Sequence, residues 1–142
     1  MKKPNAPFTI PSAVRDLLVQ AAREAAQGAY IPYSNYPVGA AVLAEDGQVY
    51  TGCNIENASY GLTMCAERVA VFNAARCGCR AFAAIAVAGG SGARPASPCG
   101  ACRQVLAEFA AAQTPVFIAP LKKGGRVTAT TLGALLPMAF RK

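Results

Sequence analysis

Val38-Gly39-Ala40-Ala41-Val42-Leu43-Ala44-Glu45-Asp46-Gly47-Gln48-Val49-Tyr50-Thr51-Gly52-Cys53-Asn54-Ile55 is the stretch on which the fold turns. Two strand-like runs, 38–44 and 49–55, flank Glu45-Asp46-Gly47-Gln48, and Asp-Gly between such runs signals a hairpin closed by two residues. Upstream, Val14, Leu17, Leu18, Ala21, Ala22 and Ala25 recur at helical spacing, with Ser12 as N-cap and Gly28 as the stop. Pro32, Ser34, Asn35 and Pro37 then predict an irregular loop carrying Tyr30, Tyr33 and Tyr36.

Downstream, a loop through Asn57, Ala58, Ser59 and Gly61 leads to Thr63, a candidate cap, and to a helix over 65–75 that stops near Gly78. Residues 82–88 are an apolar run with the length of a buried strand, ended by Gly89-Gly90. Pro98 suits the first turn of a helix reaching residue 112. A strand over 115–119, a turn at Lys123-Gly124-Gly125 and an edge strand over 127–129 follow, then a last helix capped by Thr131 and ended before Pro137. Helix, hairpin, helix, strand, helix, strand, strand, helix implies an α/β fold: a mixed five-stranded sheet with helices on both faces, a three-layer α-β-α sandwich. Residues 1–142 read as one domain, with a loose leader over 1–11.

A chain of 142 residues buries about two-thirds of its unfolded surface, and 54% hydrophobic against 15% charged residues argues against disorder. The apolar stretches are too short to span a membrane, and Pro4, Pro7 and Pro11 replace any signal-peptide core. Six cysteines without an export signal point to a reducing, cytoplasmic setting and to metal or catalytic use, the alternative being a disulfide framework. The net charge of +7 includes the doublets Lys2-Lys3, Lys122-Lys123 and Arg141-Lys142, with no basic helix face and no aromatic platform. That pattern fits a solvated basic surface better than a nucleic-acid partner.

The chemistry lies in Cys65-Ala66-Glu67 and Pro98-Cys99-Gly100-Ala101-Cys102, in a chain without histidine. The usual neutral-pH base and the commonest nitrogen ligand are both missing, so thiolates and carboxylates must serve. Cys99 and Cys102, three apart, share a helical face, and Cys65 converges on them from a second helix N-terminus. Three sulfur ligands leave the fourth tetrahedral position to water, the open geometry of catalytic zinc. Three thiolates make such a site electron-rich, and Arg68 can offset this by donating to them. The competing arrangement is a closed four-cysteine site completed by Cys53, Cys77 or Cys79, which leaves Glu67 without a purpose.

C-A-E followed by P-C-x-x-C matches the zinc-deaminase signature in its three-cysteine form, with a glutamate that is not a ligand. More specifically, the chain resembles the small homotetrameric cytidine deaminases. Beside the zinc motif, the resemblance rests on Pro32-Tyr33-Ser34-Asn35-Tyr36-Pro37-Val38-Gly39-Ala40-Ala41, Gly52-Cys53-Asn54-Ile55-Glu56-Asn57-Ala58, Pro98-Cys99-Gly100-Ala101-Cys102-Arg103-Gln104 and Leu135-Leu136-Pro137, and covers nearly everything after Pro11. It implies one cytidine deaminase-like domain, one zinc ion per subunit, and hydrolytic deamination of cytidine and 2′-deoxycytidine with release of ammonia, a step of pyrimidine salvage. It implies that Cys65, Cys99 and Cys102 hold the ion while Glu67 moves protons between water, N3 and the leaving amino group.

The same resemblance assigns Asn54 and Glu56 to the ribose. A carboxylate accepting the 3′-hydroxyl repels a phosphate there, which favours a free nucleoside. Tyr36, where relatives commonly carry phenylalanine, would stack on the base. The Ala66 amide would donate to the base, and loop carbonyls near Ser97 and Cys99 would accept from its amino group. Ala58, Tyr60 and Phe140 would reach a neighbouring subunit's pocket in a homotetramer with shared active sites. The rival readings are a deaminase of another cytosine compound, such as a blasticidin-type antibiotic, and a non-enzymatic zinc-binding module.

Overall fold

In the computed structural model, which describes residues 9–142, alternation and helical periodicity give the elements in the expected order. They are α1 (Ser12–Ala25), β1 (Val38–Ala44), β2 (Val49–Cys53), α2 (Ala66–Arg76), β3 (Phe82–Gly89), α3 (Gly100–Phe109), β4 (Pro115–Ala119), β5 (Thr128–Thr131) and α4 (Leu132–Leu135). Of the leader expected over 1–11, the first eight residues lie outside the described residues. The sheet order is β2-β1-β3-β4-β5. β1 is antiparallel to both β2 and β3, β3 and β4 are parallel, and β5 is antiparallel to β4. The mixed sheet covered by helices on both faces is the expected α/β architecture.

The strand period of two splits the core cleanly. Ala40, Val42, Ile85, Val87, Val116 and Ile118 pack with residues of α2, α3 and α4, whereas Ala41, Ala84, Ala86, Ala88, Phe117 and Ala119 pack with Leu18, Val19 and Ala22 of α1. Glycine sets the spacing of the layers. A Cβ at Gly39 would meet the Ala22 carbonyl and Ala26 nitrogen on one face, and one at Gly52 would meet Ala70 N and Ala66 O on the other.

Several boundaries differ from expectation, each for a local reason. The hairpin loop has three residues: Gly47 N–H donates to Ala44 O at 3.0 Å, Ala44 N–H to Gln48 O at 2.8 Å, and Gly47 takes φ 89°, a left-handed position that favours glycine. Ser12 does not cap α1; it is the first helical residue, and Pro11 stands before it with no side-chain bond. Thr63 does not cap α2 either, since its hydroxyl accepts from Asn57 N–H at 3.2 Å. β2 stops at Cys53 rather than 55 because the Asn54 side chain leaves the ladder's pattern. Its Oδ1 accepts Val38 N–H at 2.9 Å while its own carbonyl accepts Tyr30 N–H at 3.0 Å. α3 stops at Phe109 rather than 112, where the Arg141 guanidinium takes the Ala107 and Ala110 carbonyls at 2.8 and 3.2 Å. Thr131 caps α4 as expected, accepting Ala134 N–H at 3.2 Å.

The register has one consequence for function. β2 and β3 both run against β1, so they run alike, and β2 feeds α2 at the end of the sheet where β3 feeds α3. The N-termini of α2 and α3 therefore meet beyond the carboxyl ends of those strands, the usual place for a ligand in such sheets. Gly52 lets α2 close on β2 at this end. Gly52→Ala is expected to cost about 1–3 kcal/mol of stability or more through overpacking, read from urea denaturation; a loss under ~1 kcal/mol would contradict the close approach.

Candidate metal centre and cleft

α2 and α3 each begin on a cysteine. Cys65 is the N-cap residue of α2 (φ −72°, ψ 152°) and Cys99 that of α3 (φ −69°, ψ 167°), and neither side chain caps a backbone N–H of its own helix. Cys102, the third residue of α3, joins them. The three Sγ atoms all lie within 4.8 Å of one another, with Cys65 and Cys99 3.9 Å apart. Sulfurs at a zinc–sulfur distance of about 2.3 Å stand about 3.8 Å apart on a tetrahedron, so the thiol spacing fits zinc.

Cys53, Cys77 and Cys79 stay outside the cluster, and among the described residues no fourth cysteine, histidine or carboxylate joins it. Cys53 is half-buried, and burial pushes its thiol pKa up. Cys79 donates weakly to Ala81 O at 3.5 Å, and Cys77 is exposed. A closed four-cysteine site finds no support in this arrangement.

Two helix N-termini face the thiols with backbone N–H groups that have no partner within their helices, which favours negative charge there. Hydrogen bonding with Cys102 first, and then with Arg68, outweighs burial and holds the Cys65 thiol at about 5. The Cys102 thiol moves the opposite way, pushed up by sharing with Cys65, by burial and by Glu67. Arg68 Nη2 donates to Cys65 Sγ at 3.4 Å, and this bond holds the guanidinium charged still more firmly than usual. Its Nε is buried without a partner. The expected support from Arg68 is therefore present as a direct contact.

Glu67, in the first turn of α2, is 4% exposed. Burial raises its carboxyl pKa; bonding from Cys102 and from its own backbone N–H opposes this without cancelling it. Such a carboxyl holds a proton more readily than an exposed one, as a group that both takes and returns a proton requires.

Beside the thiols opens a cleft of about 380 Å³. It is lined by the expected Tyr36, Asn54, Glu56, Cys65, Ala66, Glu67, Ser97 and Cys99, by Ser34, Val38, Thr63 and Ala96, and by Tyr60, which the resemblance assigns to a neighbouring subunit's pocket and which stands on its own chain's cleft. Glu56 is buried, and its Oε1 accepts Tyr33 N–H at 3.2 Å and Ser34 N–H at 3.1 Å. Burial alone would raise its pKa; these bonds, with the Ser34 hydroxyl, outweigh it and set the carboxyl below its ordinary value. Asn35 at φ 53°, a residue type that tolerates the left-handed region, turns the loop so that both N–H groups aim at the carboxylate.

Asn54 serves as a strut as well as a cleft residue. Its Nδ2 donates to Tyr36 O at 2.8 Å while Oδ1 accepts from Val38, so one amide fixes the loop that carries Tyr36. The Cys99 carbonyl, expected to face a base amino group, already accepts Arg103 N–H at 3.0 Å as the first bond of α3. Ala58 and Phe140 are exposed and do not line this chain's own cleft, while Gln104 Nε2 holds Phe140 O at 3.1 Å. Arg103, inside the Pro98–Gln104 motif but without a role predicted from sequence, donates to Pro98 O at 2.7 Å and Ser97 Oγ at 3.2 Å beside the cluster. A larger groove of about 590 Å³, with Glu45, Glu108 and Arg141 on its walls, contains none of the cysteines.

Comparison with known proteins agrees with this geometry. The family model for the cytidine and deoxycytidylate deaminase zinc-binding region matches residues 13–118. A cytidine deaminase of Sporosarcina psychrophila is 52% identical over 125 residues, covering 88% of this chain and 90% of that protein. One from Mycobacterium tuberculosis is 43% identical over 131 residues, covering 92% of each. Among solved structures, the cytidine deaminase of Burkholderia pseudomallei superposes with a TM-score of 0.81 at 50% identity, covering 87% of this chain and 97% of that one.

Once zinc is stripped by a chelator, the low Cys65 pKa predicts an alkylation rate that hardly changes with pH. Iodoacetamide labelling of Cys65, read by peptide mass spectrometry, should vary less than about threefold between pH ~6.5 and ~8.5, where an ordinary thiol of pKa about 8.5 gains about fiftyfold. An ordinary profile would show that the helix termini, Cys102 and Arg68 do not stabilise the thiolate.

Proposed function

The chain belongs to the cytidine and deoxycytidylate deaminase family, and from that premise we propose that it hydrolyses cytidine and 2′-deoxycytidine to uridine and 2′-deoxyuridine with release of ammonia, as one domain over residues 1–142. The observation that carries this reading is the buried Glu67 carboxyl beside the three-thiol cluster, on a cleft that also presents Glu56.

Cys65, Cys99 and Cys102 hold the zinc, which supplies an activated water at neutral pH. Glu67 takes one water proton and delivers it to N3 of the pyrimidine as the hydroxyl adds to C4; it then carries the hydroxyl's remaining proton to the amino nitrogen, which leaves as ammonia as the C4–N bond breaks and the C4 carbonyl forms. Its raised pKa suits both directions of transfer. The Ala66 N–H, unpaired at the start of α2, donates to the base, and the Ser97 carbonyl loop receives the amino group. Tyr36 offers its ring to the base from the loop that Asn54 braces.

Both backbone donors to Glu56 fall on Oε1, which leaves Oε2 to accept a ribose hydroxyl. A buried carboxylate at that place repels a 3′-phosphate, which argues against a polynucleotide and supports a substrate with a free 3′-hydroxyl. Asn54 keeps a second Nδ2 hydrogen for the sugar. Exposed Tyr30 and Ile55, paired across a bridge, with Tyr60, Leu62 and Phe140, support a homotetramer in which Ala58 and Phe140 complete neighbouring clefts while Tyr60 lines its own. No helix among the described residues is long and apolar enough to cross a membrane; six free cysteines suit a reducing cytoplasm, and the proposed reaction, which turns cytidine into uridine, belongs to pyrimidine salvage.

Glu67→Gln is expected to retain zinc and lose at least about a thousandfold in kcat, followed by ultraviolet loss of cytidine. Turnover near that of the parent protein would refute the assignment, and zinc without turnover in the parent itself would leave a binding module. For Arg68→Gln, the expected outcome is a roughly tenfold or greater drop in zinc affinity, measured by competition with a chelator. Unchanged affinity would remove Arg68 from the metal's support.

A further inference from the structure

We propose that Arg103 is a positioning residue for the metal centre, gripping the ligand Cys99 from both of its peptide bonds and tying it to α4. Its backbone N–H donates to Cys99 O at 3.0 Å. Its side-chain Nε donates to Pro98 O, on the preceding peptide, at 2.7 Å. One residue thus fixes the peptide planes before and after Cys99, and with them the direction of the Cys99 side chain.

The rest of the guanidinium extends the brace. Nη1 donates to Leu135 O at 2.7 Å, and Nη2 to Ser97 Oγ at 3.2 Å. Leu135 O is one of the end carbonyls of α4, unpaired within its own short helix. α4 is anchored through Leu132, 1% exposed in the core. Pro98 is fully buried, so its carbonyl depends on this donor to remain satisfied. Only a planar fork of fixed donors reaches three acceptors in different directions; a lysine ammonium at the same place can satisfy one of them well.

The site reading does not require this residue. Arg103 touches neither the thiols nor the cleft; it acts through the loop 97–99, whose Ser97 and Cys99 line the cleft. Losing the brace lets that loop shift while Cys65 and Cys102 stay on their helices, so the metal loses one well-aimed ligand of three. Residues that orient metal ligands in this way are typically worth about 10- to 100-fold in metal affinity or activity.

The test compares zinc-loaded parent protein with Arg103→Gln, Arg103→Lys, Ser97→Ala and Val116→Ala, the last a core truncation on β4 remote from the site. Zinc release into a chromogenic chelator is timed under native conditions, beside the thermal midpoint and the kinetics with cytidine. Arg103→Gln should release zinc at least about tenfold faster than Val116→Ala, with Arg103→Lys close behind and Ser97→Ala within about threefold of the parent. If Arg103→Gln does not fold, the Arg103→Lys comparison decides by the same tenfold margin. Release no faster than that margin would reduce Arg103 to a general stabiliser of the fold and overturn the proposal. Because zinc release is read without turnover, it stands or falls independently of whether cytidine is the substrate.

Discussion

Everything at the site depends on two helix N-termini meeting over three sulfur atoms. A thiolate cluster in a protein interior is unfavourable unless something opposes its charge. Here the opposing groups are built into the backbone: the unpaired N–H groups that begin α2 and α3, joined by the Arg68 guanidinium, whose Nη2 donates to Cys65. The arrangement exists only because β2 and β3 run in the same direction and because Gly52 admits α2 against the sheet. The strand register is thus as much a part of the metal centre as the cysteines.

With no histidine in the chain, proton transfer falls to a carboxylate, and an ordinary surface glutamate is too acidic for that work. Burial of Glu67 corrects this. Glu56 shows the opposite tuning within one cleft: two backbone donors keep it ionised, as a hydroxyl acceptor must be. Two carboxyl groups, one buried against thiols and one wrapped in N–H donors, thereby acquire separate roles from their surroundings alone.

The sequence made β1 and β4 legible to the residue, because their apolar runs end at turn-forming or capping residues. The three cysteines were equally legible, since metal chemistry fixes their type and spacing, and the cleft beside them gathers Glu67 with Asn54 and Glu56, the pair that the family resemblance supplied. What stayed hidden depends on side chains reaching backbone far away in the chain. Asn54 ends β2 by replacing its own carbonyl in the ladder, and Arg141 ends α3 from more than thirty positions on. Cys65 and Cys99 occupy N-cap positions without capping, so no propensity rule for caps would have placed those helix starts. Arg103 belongs to the same class: a charged residue on a helix whose partners lie on two other segments.

The open metal site is the claim on which the hydrolytic account rests, and X-ray absorption at the zinc edge measures it most directly. The purified zinc protein should show three sulfur neighbours at about 2.3 Å and one lighter neighbour at about 2.0 Å. Four sulfur neighbours would mean a closed, structural site and would contradict the account.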